Sequence, residues 1–395
     1  MKALPLEWTL LNSSGMPMFG IPPHSALSLC PEGAFFLETA PAAILRQAGE
    51  DVRRLRLMAW SRAGSRDGAC GRYLKLGRSM HIPDGFLDAK TTLATGALSV
   101  GGLGLALADA RRSLPPRKVP LLGLTAAFIF VAQMINFPVL GGTSGHLIGA
   151  TLAAVLVGPS AAIIVIATVL LLQCFAFADG GVTALGANLL NMGMIGAVGG
   201  WMIYAPLARV APSRRGRLAA AAAACWGSTV LAAVVCAGEL AASGTAPWRT
   251  VFPAMAGVHA LIGIGEAAIT VMVLSAIGSV RPELLRPERE SGASYWPVLG
   301  IGMIAVAGMA VFVLPFASKA PDGLEWTAER LGFRHVEAAV IHAPAADYQV
   351  PGMTNFAPAA AFVGMAAMLL VVMVVGRMVA RGGSRGAGGG PSSGS

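Results

Sequence analysis

Eight long apolar runs separated by short loops constrain this chain more than any other feature. They cover residues 91–110, 119–136, 161–178, 185–210, 218–241, 251–280, 298–315 and 359–380. A membrane-crossing helix needs ~20 predominantly apolar residues. Backbone in lipid must satisfy its own hydrogen bonds, so isolated runs of this kind fold as helices. A shorter segment, 146–157, is a ninth candidate. Only 12% of the 395 residues are charged and the mean hydropathy is +0.66, which excludes an ordinary soluble domain. The expected fold is all-α: a polytopic helical membrane protein with about nine transmembrane helices.

The formal net charge of +9 would suggest nucleic acid in a soluble protein. Here the basic residues gather in loops between apolar runs: Arg111, Arg112, Arg117 and Lys118, then Arg214, Arg215 and Arg217, then Arg377, Arg381 and Arg385. Lys/Arg-rich loops stay on the cytoplasmic side. Nine spans with Met80 outside put each of these clusters inside, so no nucleic-acid partner is expected. The shortest link is 146–157, which could be partly re-entrant. Cys174, Cys225 and Cys236 sit within apolar runs and read as core fillers.

Residues 1–79 contain no membrane-length run and carry ten Lys/Arg against six Asp/Glu. They lack the apolar stretch of a signal peptide. Translocating a basic segment without a signal opposes the positive-inside bias. The segment is therefore expected to be translated sequence upstream of the true start, or an extension that a protease removes. The tail 382–395 is Gly/Ser-rich and reads as disordered.

The motif Met80-His81-Ile82-Pro83-Asp84-Gly85 directly precedes the first apolar run. If Met80 is the N-terminus, its amine, the His81 amide nitrogen and the His81 imidazole can form one tridentate metal chelate. His146 ends a Gly/Pro-rich stretch, 136–146, on the same expected side, and can supply a fourth nitrogen. Four nitrogens in a plane suit Ni²⁺ or Cu²⁺, with Co²⁺ also compatible, whereas Zn²⁺ prefers a tetrahedron. Alone, His146 would read as a helix-end histidine bonded to backbone. His259 and Glu266 lie seven residues apart, which puts them on one helix face. Ionisable groups within a span face a pathway or an internal packing contact, and the sequence leaves both readings open. Asp179 reads as an outer turn or cap. No Walker-type phosphate loop, catalytic triad context or zinc-protease motif is present, so ATP hydrolysis by this chain is not expected and neither is a resident cofactor.

Residues 80–87 (MHIPDGFL), 136–149 (NFPVLGGTSGHLIG), 179–192 (DGGVTALGANLLNM) and 259–266 (HALIGIGE) resemble the CbiM/NikM family. These are substrate-binding membrane components of energy-coupling-factor transporters for cobalt and nickel. The resemblance covers about 80–290. It implies a metal site of Met80, His81 and His146, with Ni²⁺ or Co²⁺ as the transported substrate. It also implies a membrane coupling (T) subunit and separate cytoplasmic ATPase subunits as partners. Pro321-Asp322-Gly323-Leu324-Glu325-Trp326 resembles the signature of a two-span companion subunit, which places a fused module over 295–381 after a core over 80–294. The chief departure is the 79-residue extension, whose retention would remove the amine ligand. Two other classes stay open: a stand-alone metal permease driven by an ion gradient, and a non-transporting metal sensor or scaffold.

Overall fold

The computed structural model describes residues 81–285, 294–337, 340, 343–350 and 357–384. The chain divides into Met1–Leu76, which lies outside the described residues, and Gly77–Ser395, which holds everything below. The expectations about 1–79, Met80 and most of the tail therefore fall outside the described residues.

The first long helix, α1 (Ala89–Ser113), starts where the Asp88 carboxylate accepts from the Thr91 amide at 2.9 Å. Leu93, Leu98, Val100 and Leu105 are largely exposed on it, as expected of a face turned to lipid. Its opposite face carries small residues, where Ser99 Oγ donates to the Gly186 carbonyl at 2.6 Å. A Cβ on Gly186 would lie 2.6 Å from the Gly96 backbone, so the two segments touch through glycine. Next, α2 (Val119–Gln133) turns back and is buried along nearly its whole length.

A two-stranded antiparallel hairpin follows, β1 (Phe137–Val139) against β2 (Thr143–Gly145). Gly141 (φ 90°) and Gly142 (φ 81°) make its turn in the left-handed region that other residues avoid. Then come α3 (Ala150–Val157) and α4 (Pro159–Phe177). Gly158, at φ 92°, breaks the chain between them, and Pro159 starts the new helix. Helix α5 (Leu185–Asn188) runs into an eleven-residue π-helical stretch, Leu189–Gly199, and on into α6 (Gly200–Val210). The long pair α7 (Arg214–Ala242) and α8 (Trp248–Val280) completes the core. Beyond it stand α9 (Trp296–Phe312), the short α10 (Gly323–Leu331) and α11 (Ala357–Ser384).

The helical bundle expected from the sequence is present, with one small hairpin besides, and the count of about nine spans is not confirmed. Among the described residues, six helices are long and apolar enough to cross a membrane: Ala89–Ser113, Pro159–Phe177, Arg214–Ala242, Trp248–Val280, Trp296–Phe316 and Ala357–Arg381. Helix α2 has 15 residues, about 22 Å of rise against a ~30 Å hydrocarbon core. The 146–157 candidate is helical only from Ala150 and has eight residues there. Gly149 (φ 75°) and Gly158 stop it at both ends. The 185–210 run is helical throughout but changes to π-helix midway.

One apolar core links the early and late helices. Phe130 of α2 and Leu152, Ile166 and Leu170 of α3 and α4 belong to the same buried cluster as Met368 and Val372 of α11. Gly364 makes that contact possible, because a Cβ there would sit 2.0 Å from the Phe130 ring.

Candidate metal centre

The segment after Met80 lies in a groove rather than on a helix, and side chains hold its backbone. Asn188 brackets Ile82: its Oδ1 accepts from the Ile82 amide at 2.9 Å and its Nδ2 donates to the Ile82 carbonyl at 3.0 Å. The Gly181 amide donates to the same carbonyl at 2.9 Å. Asp84 Oδ1 accepts from the Thr183 amide at 2.7 Å and the Thr183 hydroxyl at 2.6 Å. A Cβ on Gly181 would come within 2.3 Å of the Asp84 nitrogen, so only glycine lets the two strips of backbone meet. The 179–188 loop is thus a mould for residues 81–84.

That mould aims His81. Helix α4 ends with Ala178 in the left-handed region (φ 54°), its cap closed by the Asp179 amide donating to the Gln173 carbonyl at 3.0 Å. Asp179 is thereby delivered to the His81 ring. The His81 Nδ1 donates to Asp179 Oδ1 at 2.9 Å, with both side chains buried. The other carboxylate oxygen, Oδ2, accepts from the Tyr348 hydroxyl at 2.6 Å. Tyr348 stacks on Phe177 with ring centroids 4.9 Å apart. Asp347 and Tyr348 both have φ near +55° (54° and 56°), a costly backbone for side-chain-bearing residues. A neutral imidazole that donates from Nδ1 carries its lone pair on Nε2.

His146 approaches from the hairpin. Its ring centroid is 5.7 Å from that of His81, and Zn/Ni-type bonds to imidazole of about 2 Å each let one ion bridge such a pair. Burial, with the neighbouring His81 next in effect, lowers the His146 imidazole to about 3, so the ring is neutral at ordinary pH, as a metal ligand must be. Glu266 positions the connection behind it. Its Oε1 accepts from the Ile148 and Gly149 amides at 2.8 and 3.0 Å, and its Oε2 from the Thr229 hydroxyl at 2.5 Å.

A cavity of about 90 Å³ lies among these groups, lined by His81, His146, His259, Asn191, Cys236 and Asp322, with others. The structure separates His259 from Glu266. The former lines the cavity, its Nδ1 donating to the Met255 carbonyl at 2.8 Å, and the latter is committed to two backbone amides and the Thr229 hydroxyl. The cavity is roofed by 320–324. Ser144 donates from its amide to the Pro321 carbonyl and from its hydroxyl to the Ala320 carbonyl, both at 2.8 Å. Gly323 packs on His259, where a Cβ would meet Nε2 at 3.1 Å. Asp322 caps α10 through the Glu325 amide at 2.7 Å. Burial, then the Glu325 charge, raises its carboxyl from the usual range.

Of the expected ligands, the structure brings His81 and His146 together, and Met80 lies outside the described residues. The expected fused chelate closes its six-membered ring through the His81 Nδ1. Here that nitrogen faces Asp179, so forming the chelate requires the ring to turn from the carboxylate. Among the described residues no three His, Cys, Asp or Glu side chains gather as a metal-holding group. Sequence reasoning gave Asp179 only a turn or cap role and missed Tyr348 and Asn188. Asn188 lies inside a motif already singled out, whereas Tyr348 had no local signal.

Two imidazoles meeting in a roofed cavity of a helical membrane protein have the geometry of a small-cation site. The chain belongs to the CbiM family: residues 81–284 match its model, described as a cobalt uptake substrate-specific transmembrane region. Residues 296–381 match the PDGLE domain. A putative fused nickel transport protein NikMN of Archaeoglobus fulgidus is 35% identical over 280 residues, 70% of this chain and 91% of that protein. The fused nickel transport protein NikMN of Rhodobacter capsulatus is 36% identical over 267 residues, 63% of this chain and 76% of that protein. A crystal structure described as a truncated transition metal transporter is 34% identical, with a TM-score of 0.46, covering 51% of this chain and 99% of that one.

Proposed function

We propose that this chain is the substrate-capturing membrane component of a nickel or cobalt uptake transporter. His81 and His146 bind the divalent ion as cargo at the outer face. A free Met80 amine and the His81 amide join them where the chain begins at Met80. The observation that carries this reading is the 5.7 Å approach of two imidazoles whose residues lie 65 positions apart in sequence and line one cavity. Asp179 supports the two-histidine form of the site, in which Nδ1 of His81 donates to the carboxylate and Nε2 faces the ion; in the chelated form the ring turns and that contact is given up. The chain has no phosphate-binding loop, so the energy for release is assigned to ATPase subunits acting through a membrane coupling subunit.

Binding of ⁶³Ni²⁺ and ⁵⁷Co²⁺ to the purified chain, and uptake by cells with and without the ATPase subunits, tests the reading. His81→Ala and His146→Ala should each abolish high-affinity binding, and uptake should need the ATPase. Normal binding in either variant overturns the site. Gradient-driven uptake by the chain alone overturns the coupling.

A further inference from the structure

Helix α7 carries a buried carboxylate whose charge no basic side chain balances. Glu239 is 7% exposed and stands in the last turn of the helix, which ends at Ala242. Asn191, 5% exposed on the π-helical stretch, donates from Nδ2 to Glu239 Oε2 at 2.7 Å. The other two oxygens of this pair, Glu239 Oε1 and Asn191 Oδ1, are buried and accept no hydrogen bond. No lysine, arginine or histidine among the described residues forms an ion pair with Glu239. An ionised carboxylate buried without a partner is strongly destabilising, so such a group takes up a proton.

The position of the pair supplies a reason for it. Asn191 lines the cavity that His81 and His146 share, and so does Cys236, one turn before Glu239 on the same helix. The Asn191 amide nitrogen is committed to Glu239, which leaves Oδ1 as the acceptor it offers. The other titratable groups near this end of α7 are few. Asp322 of the roof and His259 of α8 line the same cavity. Asp88 meets Ser243 just beyond the helix, and Arg249 at the start of α8 is exposed. The π-helical stretch, α3 and α6 also pack on α7 and bring no acid or base to this end. A divalent ion in the cavity changes the balance, because a nearby positive charge favours the ionised carboxylate. We propose that Glu239 is the proton-exchanging counter-charge of the cavity: it holds a proton while the cavity is empty and gives it up to solvent as the divalent ion enters. Glu239 is then a positioning residue and makes no bond to the metal, and Asn191 carries its polarity to the cavity wall. The proposal rests on the reading of this cavity as the nickel or cobalt site.

Isothermal titration of Ni²⁺ into the full chain, in mildly acidic buffers of different ionisation enthalpy, counts the protons released. Glu239→Gln preserves the shape of the side chain. It should release about one proton fewer per ion and bind Ni²⁺ about tenfold more weakly at neutral pH. Infrared difference spectra of the unaltered chain should lose a protonated-carboxyl band when Ni²⁺ is added, and Glu239→Gln should lack that change. Equal proton release by the two chains overturns the proposal, as does an unaltered chain whose carboxyl bands do not change. A band missing in Asp322→Asn and retained in Glu239→Gln would assign the exchange to the roof and overturn it too. An unaltered chain that binds no Ni²⁺ would overturn the metal reading of the cavity itself, and this proposal with it.

Discussion

Asp179 shows how one carboxylate can set the chemistry of a site it does not enter. Its Oδ1 receives the His81 Nδ1 proton and its Oδ2 the Tyr348 hydroxyl, at 2.9 and 2.6 Å. Removing such an orienting partner typically costs ~10–100-fold in metal affinity. Asp179→Asn should therefore weaken nickel binding by about one to two orders of magnitude, read by isothermal titration. Tyr348→Phe should act in the same direction and less. An unchanged affinity in Asp179→Asn would mean that the carboxylate does not orient His81 for the metal. His259→Ala should reduce uptake less than either site histidine, because His259 lines the cavity while its Nδ1 is spent on the Met255 carbonyl. Complete loss of binding in that variant would move His259 into the ligand set. His81 was legible from the Met80-His81 pair, and His146 from the Gly/Pro-rich stretch before it taken together with that pair. Tyr348 was not, since its bond to Asp179 joins residues 169 apart and nothing local marks it.

The helices were legible where composition alone decides them and illegible where glycine conformation does. Apolar runs as long as α8 can only be helices in lipid. The 146–157 candidate failed because left-handed glycines at 149 and 158 cut it to eight residues, and sequence alone does not report the sign of φ. The hairpin escaped for the same reason, as its turn depends on Gly141 and Gly142. Glycine contacts also give the sharpest tests among the elements. A Cβ on Gly181 would collide with the Asp84 backbone nitrogen at 2.3 Å. Gly181→Ala should push residues 81–84 out of their mould, so that nickel affinity falls while the helical circular dichroism signal stays. Gly364→Val places a branched side chain against the Phe130 ring, already 2.0 Å from a bare Cβ. Overpacking of this sort costs ~1–3 kcal/mol, so the thermal midpoint should drop, and an unchanged midpoint would show that α11 can shift away without penalty.

For the whole molecule, the PDGLE region is structurally part of the cavity that His81 and His146 line. Its 320–324 segment roofs the cavity on Ser144 and Gly141, with Trp326 Nε1 donating to the Gly141 carbonyl at 3.2 Å. Its Tyr348 reaches the carboxylate behind His81. Fusion in one chain keeps these contacts intramolecular. Whether the Met80 amine takes part is a matter of where the chain begins. A form beginning at Met80 should bind nickel more tightly than one carrying residues 1–79, because only a free amine can chelate. Equal affinities would remove the amine from the ligand set and leave the two histidines.

The nickel K-edge X-ray absorption spectrum of the loaded protein tests the central claim most directly. The account predicts a nitrogen ligand set with outer scattering from two imidazoles. A sulfur ligand, which Cys236 in the cavity wall could supply, or scattering from one imidazole alone, would contradict it.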